Sequence, residues 1–268
     1  MNKLFSRSIT GIIFVAVSVA AILFSEYSLL IFISFICFAA IYEYYKLIAK
    51  AGKHNDIHGG IISACLIISA IYFSIKSGNQ NWLLFILSPI FILPISSLIK
   101  TKTINFKPIY NTLTGIIYLA LPCALALIVA LPEGIFKGTH LLEIIMLIWI
   151  FDTMAYVSGS LIGKTKMAPK LSPKKTWEGF VGGAIFTLAL SYPLSFLFKD
   201  WQLSTHIIIA IIVVLFATPG DLLASYFKRK AQVKDTGNLL PGHGGILDRF
   251  DSFFLVIPVA WLYLWLMS

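Results

Sequence analysis

Between positions 221 and 251 the chain places acids, bases and hydroxyls at close intervals: Asp221, Ser225, Lys228-Arg229, Lys234-Asp235, His243, Asp248-Arg249 and Asp251. Pro219-Gly220 stands directly before Asp221. A proline lacks an N–H and frees the carbonyl four residues back, here that of Leu215, so this span is expected to be interrupted. The freed carbonyl, the Asp221 carboxylate and the Ser225 hydroxyl one turn on are all oxygen donors, which suit a hard cation such as Mg2+. A plain kink with a serine cap is the alternative. Arg229 offers a planar fork for phosphate oxygens, and Lys228 and Lys234 offer point charges. Gly242, Gly244 and Gly245 frame His243 and let the backbone approach a ligand closely. Asp248 and Asp251 are three apart, on one face at the expected start of the last helix. Its dipole favours carboxylates there, and the two can share a cation.

A second concentration lies upstream, in "WIFDTMAYVSGSLIGKTKMAPKLSPKKTWEG". Asp152 sits inside an apolar span, where a carboxylate costs about 3 kcal/mol on insertion scales unless it faces a polar interior. Asp152, Tyr156 and Ser160 recur every four residues and so stripe one helix face. A structural hydrogen-bond stripe competes there with a functional role for Asp152. Gly159 and Gly163 allow neighbouring helices to come close. The loop that follows carries Lys164, Lys166, Lys170, Lys174, Lys175, Thr176 and Glu178. "GSLIGKTK" lacks the spacing of a nucleotide-binding P-loop and follows a helix rather than a strand. Lys174, Lys175 and Thr176 can still serve phosphates as point charges and a hydroxyl, and Glu178 can pair with a lysine or support a metal.

These residues need a scaffold, and the composition says which kind. The 268 residues are 58% hydrophobic and only 12% charged, against about 25% charged for a soluble domain. Mean hydropathy is +0.87. Continuous apolar runs of roughly 20 residues read as transmembrane helices, since barrel strands alternate in polarity. The expected fold is an all-α polytopic membrane bundle of about nine helices, near 9–25, 28–48, 59–76, 81–99, 111–131, 139–162, 179–198, 205–227 and 250–267. The first of these reads as a retained helix rather than a cleaved signal peptide. Residues 1–138 form the N-terminal scaffold, with possible dimer contacts. Residues 139–268 form the catalytic region, with cytosolic loops 163–178 and 228–250. Cys37, Cys65 and Cys123 lie in apolar runs without metal-ligand spacing and read as small buried hydrophobes.

Numbering the connections from the N-terminus, the basic residues fall almost wholly on one alternating set. Of the 21 Lys and Arg, only Lys76, Lys137 and Lys199 fall on the other. Positive residues face the cytosol, so the N-terminus is expected inside and the C-terminus outside. The net charge of +9 is explained by topology, anionic head groups and phosphate chemistry, with no nucleic-acid partner. Asp248, Arg249 and Asp251 then lie at head-group depth on the cytosolic side.

The stretch Ser225–Asp251 resembles the phosphatidate cytidylyltransferase (CDP-diacylglycerol synthase) family. The resemblance runs through Ser225, Lys228-Arg229, Lys234-Asp235, Gly237, Pro241, His243-Gly244-Gly245, Asp248-Arg249 and Asp251. Upstream it includes Asp152, Ala155-Tyr156, Gly159, Gly163-Lys164, Ser172-Pro173, Lys175-Thr176 and Glu178-Gly179. The first 140 residues or so match only in hydropathy. The resemblance implies that CTP and phosphatidate give CDP-diacylglycerol and pyrophosphate, with Mg2+ and, beside it, K+. It further implies a polytopic homodimer, while the lack of a clear organelle presequence points to a bacterial cytoplasmic membrane. Asp221, Ser225 and Asp248 would be the metal ligands. Lys164, Lys175, Lys228, Arg229, Lys234 and Arg249 would hold phosphates, and the Gly244-Gly245 amides would face an oxyanion. Asp152, Asp235, His243 and Asp251 would support them. A secondary transporter with an intramembrane carboxylate site is the alternative function.

Overall fold

The structure, a computed structural model, describes residues 3–239 and 244–267. It is helical, with α1 (Lys3–Phe24), α2 (Glu26–Lys50), α3 (Ile57–Ser77), α4 (Ser88–Thr101), α5 (Phe106–Gly115), α6 (Leu121–Ala130), α7 (Gly138–Ile162), α8 (Trp177–Leu197), α9 (Leu203–Lys230) and α10 (Phe253–Met267). Among the described residues, seven helical stretches are long and apolar enough to cross a membrane by length and composition. They are Glu26–Lys50, Ile57–Ser77, Gln80–Lys100, Phe106–Ala130, Gly138–Ile162, Trp177–Leu197 and Leu203–Lys230. Thr10–Phe24 and Phe253–Met267, at the first and last of the nine expected spans, are shorter apolar helices. The chain is thus an integral membrane protein built of helices, and large apolar side chains such as Ile99 and Leu161 stand exposed where lipid would cover them.

The chain forms two compact units, Met1–Gly138 with Phe227–Arg249, and Thr139–Tyr226 with Phe250–Ser268. The first unit is a bundle in which α2 packs against α1, α3, α5 and α6. Ser25 and Ser28 start that helix with a reciprocal capping box, which satisfies its orphan N–H groups. Glycines at the helix contacts make room for its tyrosines: a side chain at Gly60 or Gly115 would run into Tyr45. The Tyr45 hydroxyl donates to the Thr112 carbonyl (2.8 Å). Tyr44 packs edge-on against Phe227 (5.0 Å between centroids) and Tyr118 (6.2 Å). This cluster fastens the start of the 227–249 segment to α2, and Tyr118 itself lies in a π-helical turn, Ile116–Ala120, between α5 and α6. Cys37 and Cys123 are buried as expected, but Cys65 is exposed on α3.

In the second unit, α7 and α9 are joined by a buried pair in which His206 Nδ1 meets Glu143 Oε1 at 2.5 Å. The lysine-rich stretch read as a loop contains a small antiparallel hairpin, β1 (Lys166–Ala168) with β2 (Ser172–Thr176). Helix α9 is not interrupted at Pro219-Gly220, contrary to expectation. The proline removes one hydrogen bond and the helix continues through it. Gly220 lies so close to the Asp251 and Ser252 backbone that a side chain would clash, and the Ser252 hydroxyl donates to the Ala217 carbonyl (3.1 Å). The last helix also starts later than expected, at Phe253. Asp248 therefore belongs to the turns before it, which close through Arg249 N–H donating to the Ile246 carbonyl (3.0 Å), and it is not at a helix start with Asp251.

Candidate active site

The C-terminus of α9 sets the first station. Lys228, Arg229 and Lys230 occupy its last turn, where the helix dipole favours cations. Gln232 turns left-handed at φ 54°. Val233 N–H then reaches the Lys228 carbonyl (3.0 Å) and Gln232 N–H the Arg229 carbonyl (3.1 Å), the paired closure of a Schellman end. The chain reverses there, so that Lys228 meets Asp248 twenty positions later.

Lys228 Nζ donates to Asp248 Oδ1 at 2.7 Å, with the two side chains only 11% and 7% exposed. The other oxygen, Oδ2, accepts from Thr236 N (2.8 Å), Thr236 Oγ1 (2.9 Å) and Gly245 N (3.1 Å). Burial pushes the Asp248 carboxyl up, but the Lys228 ammonium and the Thr236 and Gly245 amides outweigh it and hold the pKa below the ordinary carboxylate value. Gly244, at φ +85°, supplies the left-handed backbone that aims the Gly245 amide. A Cβ on Gly244 would also lie 2.9 Å from Asp248 Oδ2.

Beneath this turn sits a residue that the sequence reading did not single out. Glu43, on α2, is 6% exposed. Its Oε1 accepts from Ile246 N (3.1 Å) and its Oε2 from Leu247 N (2.9 Å); Thr236 Oγ1, whose one proton Oε2 shares with Asp248 Oδ2, lies 2.9 Å from Oε2. A Cβ on Gly237 would lie 2.6 Å from Glu43 Oε1, and one on Gly245 would lie 2.3 Å from Oε2. These two glycines thus admit the carboxylate. An acid within an otherwise apolar span was the available signal, the same signal that picked out Asp152.

The second station is in the other unit. Asp221 on α9 pairs through Oδ2 with Lys175 Nζ on β2 (2.7 Å; side chains 27% and 23% exposed). Its Oδ1 accepts from the Ser225 hydroxyl one turn on (3.2 Å). Asp152 on α7 has an exposed side chain, as do Tyr156 and Ser160 on its stripe. The Ser160 hydroxyl is used within its own helix, on the Val157 carbonyl (2.8 Å). Thr176 is buried and caps α8, accepting from Gly179 N (3.1 Å). Glycines 159, 163 and 179 surround its hydroxyl so closely that a Cβ on any of them would come within 3.0 Å. Glu178 reaches back to accept from the backbone N–H of Lys164 (3.1 Å) and Thr165 (3.0 Å), fixing the start of the hairpin. Lys164, Lys166, Lys170 and Lys174 stand exposed along it.

In the 227–249 segment Lys234, Asp235 and Arg249 are exposed, and Arg229 donates to the Val233 carbonyl (3.1 Å). Asp251 accepts from Ser252 N (2.8 Å) through its own side chain. His243 lies outside the described residues. The candidate metal donors Asp221 and Ser225 in one unit and Asp248 in the other each offer hard oxygens of the kind that Mg2+ takes. Among the described residues no group of three or more His, Cys, Asp or Glu side chains gathers to hold a metal.

The described helices and hairpin thus carry two lysine–carboxylate pairs and a set of exposed basic residues on a membrane protein. The family is specific. Residues 5–267 match the model of the cytidylyltransferase family, and the chain belongs to that family. It is 31% identical over 220 residues to a phosphatidate cytidylyltransferase of Rickettsia bellii, covering 79% of this chain and 92% of that protein. It is 46% identical over 125 residues to the phosphatidate cytidylyltransferase of Staphylococcus haemolyticus and 48% over 126 to that of Staphylococcus saprophyticus. The chain spans about half the length of these two staphylococcal relatives, 48% of each. The family leaves the transporter alternative without support.

Proposed function

We propose that this protein transfers the cytidylyl group of CTP to phosphatidate, releasing pyrophosphate and forming CDP-diacylglycerol, on the cytosolic side of a bacterial cytoplasmic membrane. The supporting geometry is the repeated lysine–carboxylate pair, Lys228–Asp248 and Lys175–Asp221, each at 2.7 Å. Such a pair offers both charges the chemistry needs: an ammonium for a phosphate and a carboxylate for a cation. The activity named for the Rickettsia relative, aligned over most of its length, fits the same reading.

The nucleophile is the phosphate monoester of the lipid, largely ionised near pH 7 because its second pKa is about 6. No protein base is required. A monoester oxygen attacks the α-phosphorus of CTP as the α–β bridging P–O bond breaks, and pyrophosphate leaves with that electron pair. The demands on the protein are alignment and charge neutralisation. Lys175, Lys228, Arg229, Lys234 and Arg249 hold phosphate oxygens, assisted by Lys164 and the Gly244-Gly245 backbone. Asp152, Asp235, His243 and Asp251 support them. Mg2+, held by Asp221, Ser225 and Asp248, would supply charge neutralisation on the triphosphate when bound, and K+ belongs to the same proposal. The N-terminus lies in the cytosol, as the distribution of Lys and Arg supports. The protein works as a homodimer, which its mass in detergent would check.

The deciding experiment incubates purified protein with CTP labelled in the cytidine, phosphatidate and Mg2+. Labelled lipid and equimolar pyrophosphate are expected. Recovery of all label in water-soluble nucleotide would overturn the assignment.

A further inference from the structure

We propose that Glu43 is a positioning residue for this reaction: from within α2 it holds Thr236, Ile246 and Leu247 and thereby sets the direction in which Asp248 and Lys228 point. The inference rests on the role given to Asp248 above.

The contacts leave Glu43 little other purpose. It is 6% exposed, and a buried carboxylate is retained only where its hydrogen-bonding capacity is met. Here both oxygens are met, and by one loop: Ile246 N and Leu247 N on one side, Thr236 Oγ1 on the other. The two amides belong to the residues immediately before Asp248. Held by an anion, they fix the turn from which the Asp248 side chain departs. Thr236 completes the link. Its hydroxyl lies 2.9 Å from Glu43 Oε2 and 2.9 Å from Asp248 Oδ2, and its single proton can be given to only one of them at a time. The two carboxylates are therefore coupled through one side chain. Tyr44, the next residue on α2, packs on Phe227, one residue before Lys228. The same turn of α2 thus grips the segment at its entry and near its end, so both members of the Lys228–Asp248 pair take their position from α2. Outer residues that orient a ligating carboxylate typically set metal affinity or activity by about 10–100-fold.

Glu43→Gln keeps the size of the side chain but turns one acceptor into an NH2 donor facing loop N–H groups. It is expected to lower kcat about tenfold or more and to raise the Mg2+ concentration for half-maximal rate by a similar factor. The KM for phosphatidate is expected to stay within about twofold, because the lost contact orients and does not bind that substrate. In the same purified protein, amide exchange at Ile246 and Leu247 should accelerate while α2 itself exchanges as before. Wild-type kcat and Mg2+ dependence, or unchanged exchange at those two amides, would overturn the proposal. If Glu43→Gln is not recovered folded, Thr236→Val decides. It removes only the linking hydroxyl, and a fall in kcat that Thr236→Ser reverses is expected, whereas wild-type kcat in the valine variant counts against the link. A wild-type protein that forms no CDP-lipid defeats the proposed reaction, while the exchange measurement still judges Glu43.

Discussion

Lys175–Asp221 and Lys228–Asp248 are the same pair of ions at the same 2.7 Å separation, in two different settings. The first stands about a quarter exposed, with the Ser225 hydroxyl as a further partner of Asp221. The second is close to buried, and Oδ2 of Asp248 is claimed by two backbone amides and a hydroxyl. Charges taken from water are tolerated only when such hydrogen bonds complete them. The buried pair is thus fixed by the fold itself. The open one keeps water as an alternative partner, so its lysine can leave the carboxylate for another anion at little cost.

The comparison breaks most sharply at Asp248. Asp248→Asn leaves the Lys228 ammonium buried without its counter-ion, which should cost about 3 kcal/mol of stability. With lipid and detergent conditions chosen to keep the variant folded, the rate of CDP-lipid formation should fall by more than about 100-fold. A folded variant with normal turnover would remove Asp248 from the machinery.

Lys175→Ala tests the open station. The expected signature is a KM for CTP raised about tenfold, for one lost charge contact. The change in melting free energy should be under about 1 kcal/mol, the value of an exposed pair. A larger loss of stability than of CTP affinity would show that the two stations are built alike after all.

Acid sharpens the contrast. The Asp248 pKa is depressed in the folded protein, so its stabilising contribution is present above the unfolded value of about 3.9 and is lost as pH falls through the folded value. The stability gap between wild type and Asp248→Asn should stay constant from pH 7 to about pH 5 and narrow only below about pH 4. Thermal melts across that range check it, and a gap already closing near pH 6 would contradict the assignment. The smallest effect is expected from Ser252→Ala, which removes one hydroxyl from the Ala217 carbonyl beside the Pro219 turn. About 1 kcal/mol of stability should go with it, and turnover should not.

The apolar runs made the helices legible, and the run from Ser225 to Asp251 made the family legible, because local composition and spacing carry both signals. What the sequence hid depends on distance along the chain. Glu43 lies 193 positions from Thr236 and 203 from Ile246, and its neighbours Tyr44 and Tyr45 read as part of a greasy span. Pro219-Gly220 was misleading for the opposite reason. The local rule says break, but the tertiary contact with Asp251 and Ser252 accommodates the residue and keeps the helix whole. The start of α10 moved to Phe253 because turns through Ile246 and Arg249 use the preceding residues. The hairpin at Lys166–Thr176 escaped notice because lysine and proline are poor strand formers.

Gly237 and Gly245 carry a lesson for anyone surveying variants of this protein. Saturation mutagenesis would rank both among the most intolerant positions, and a reader of that ranking would place them against the nucleotide. Their importance is of another kind: methyl groups there would evict the acid of α2 from its seat. Inhibitor design guided by such a ranking would be aimed at the wrong side of the turn.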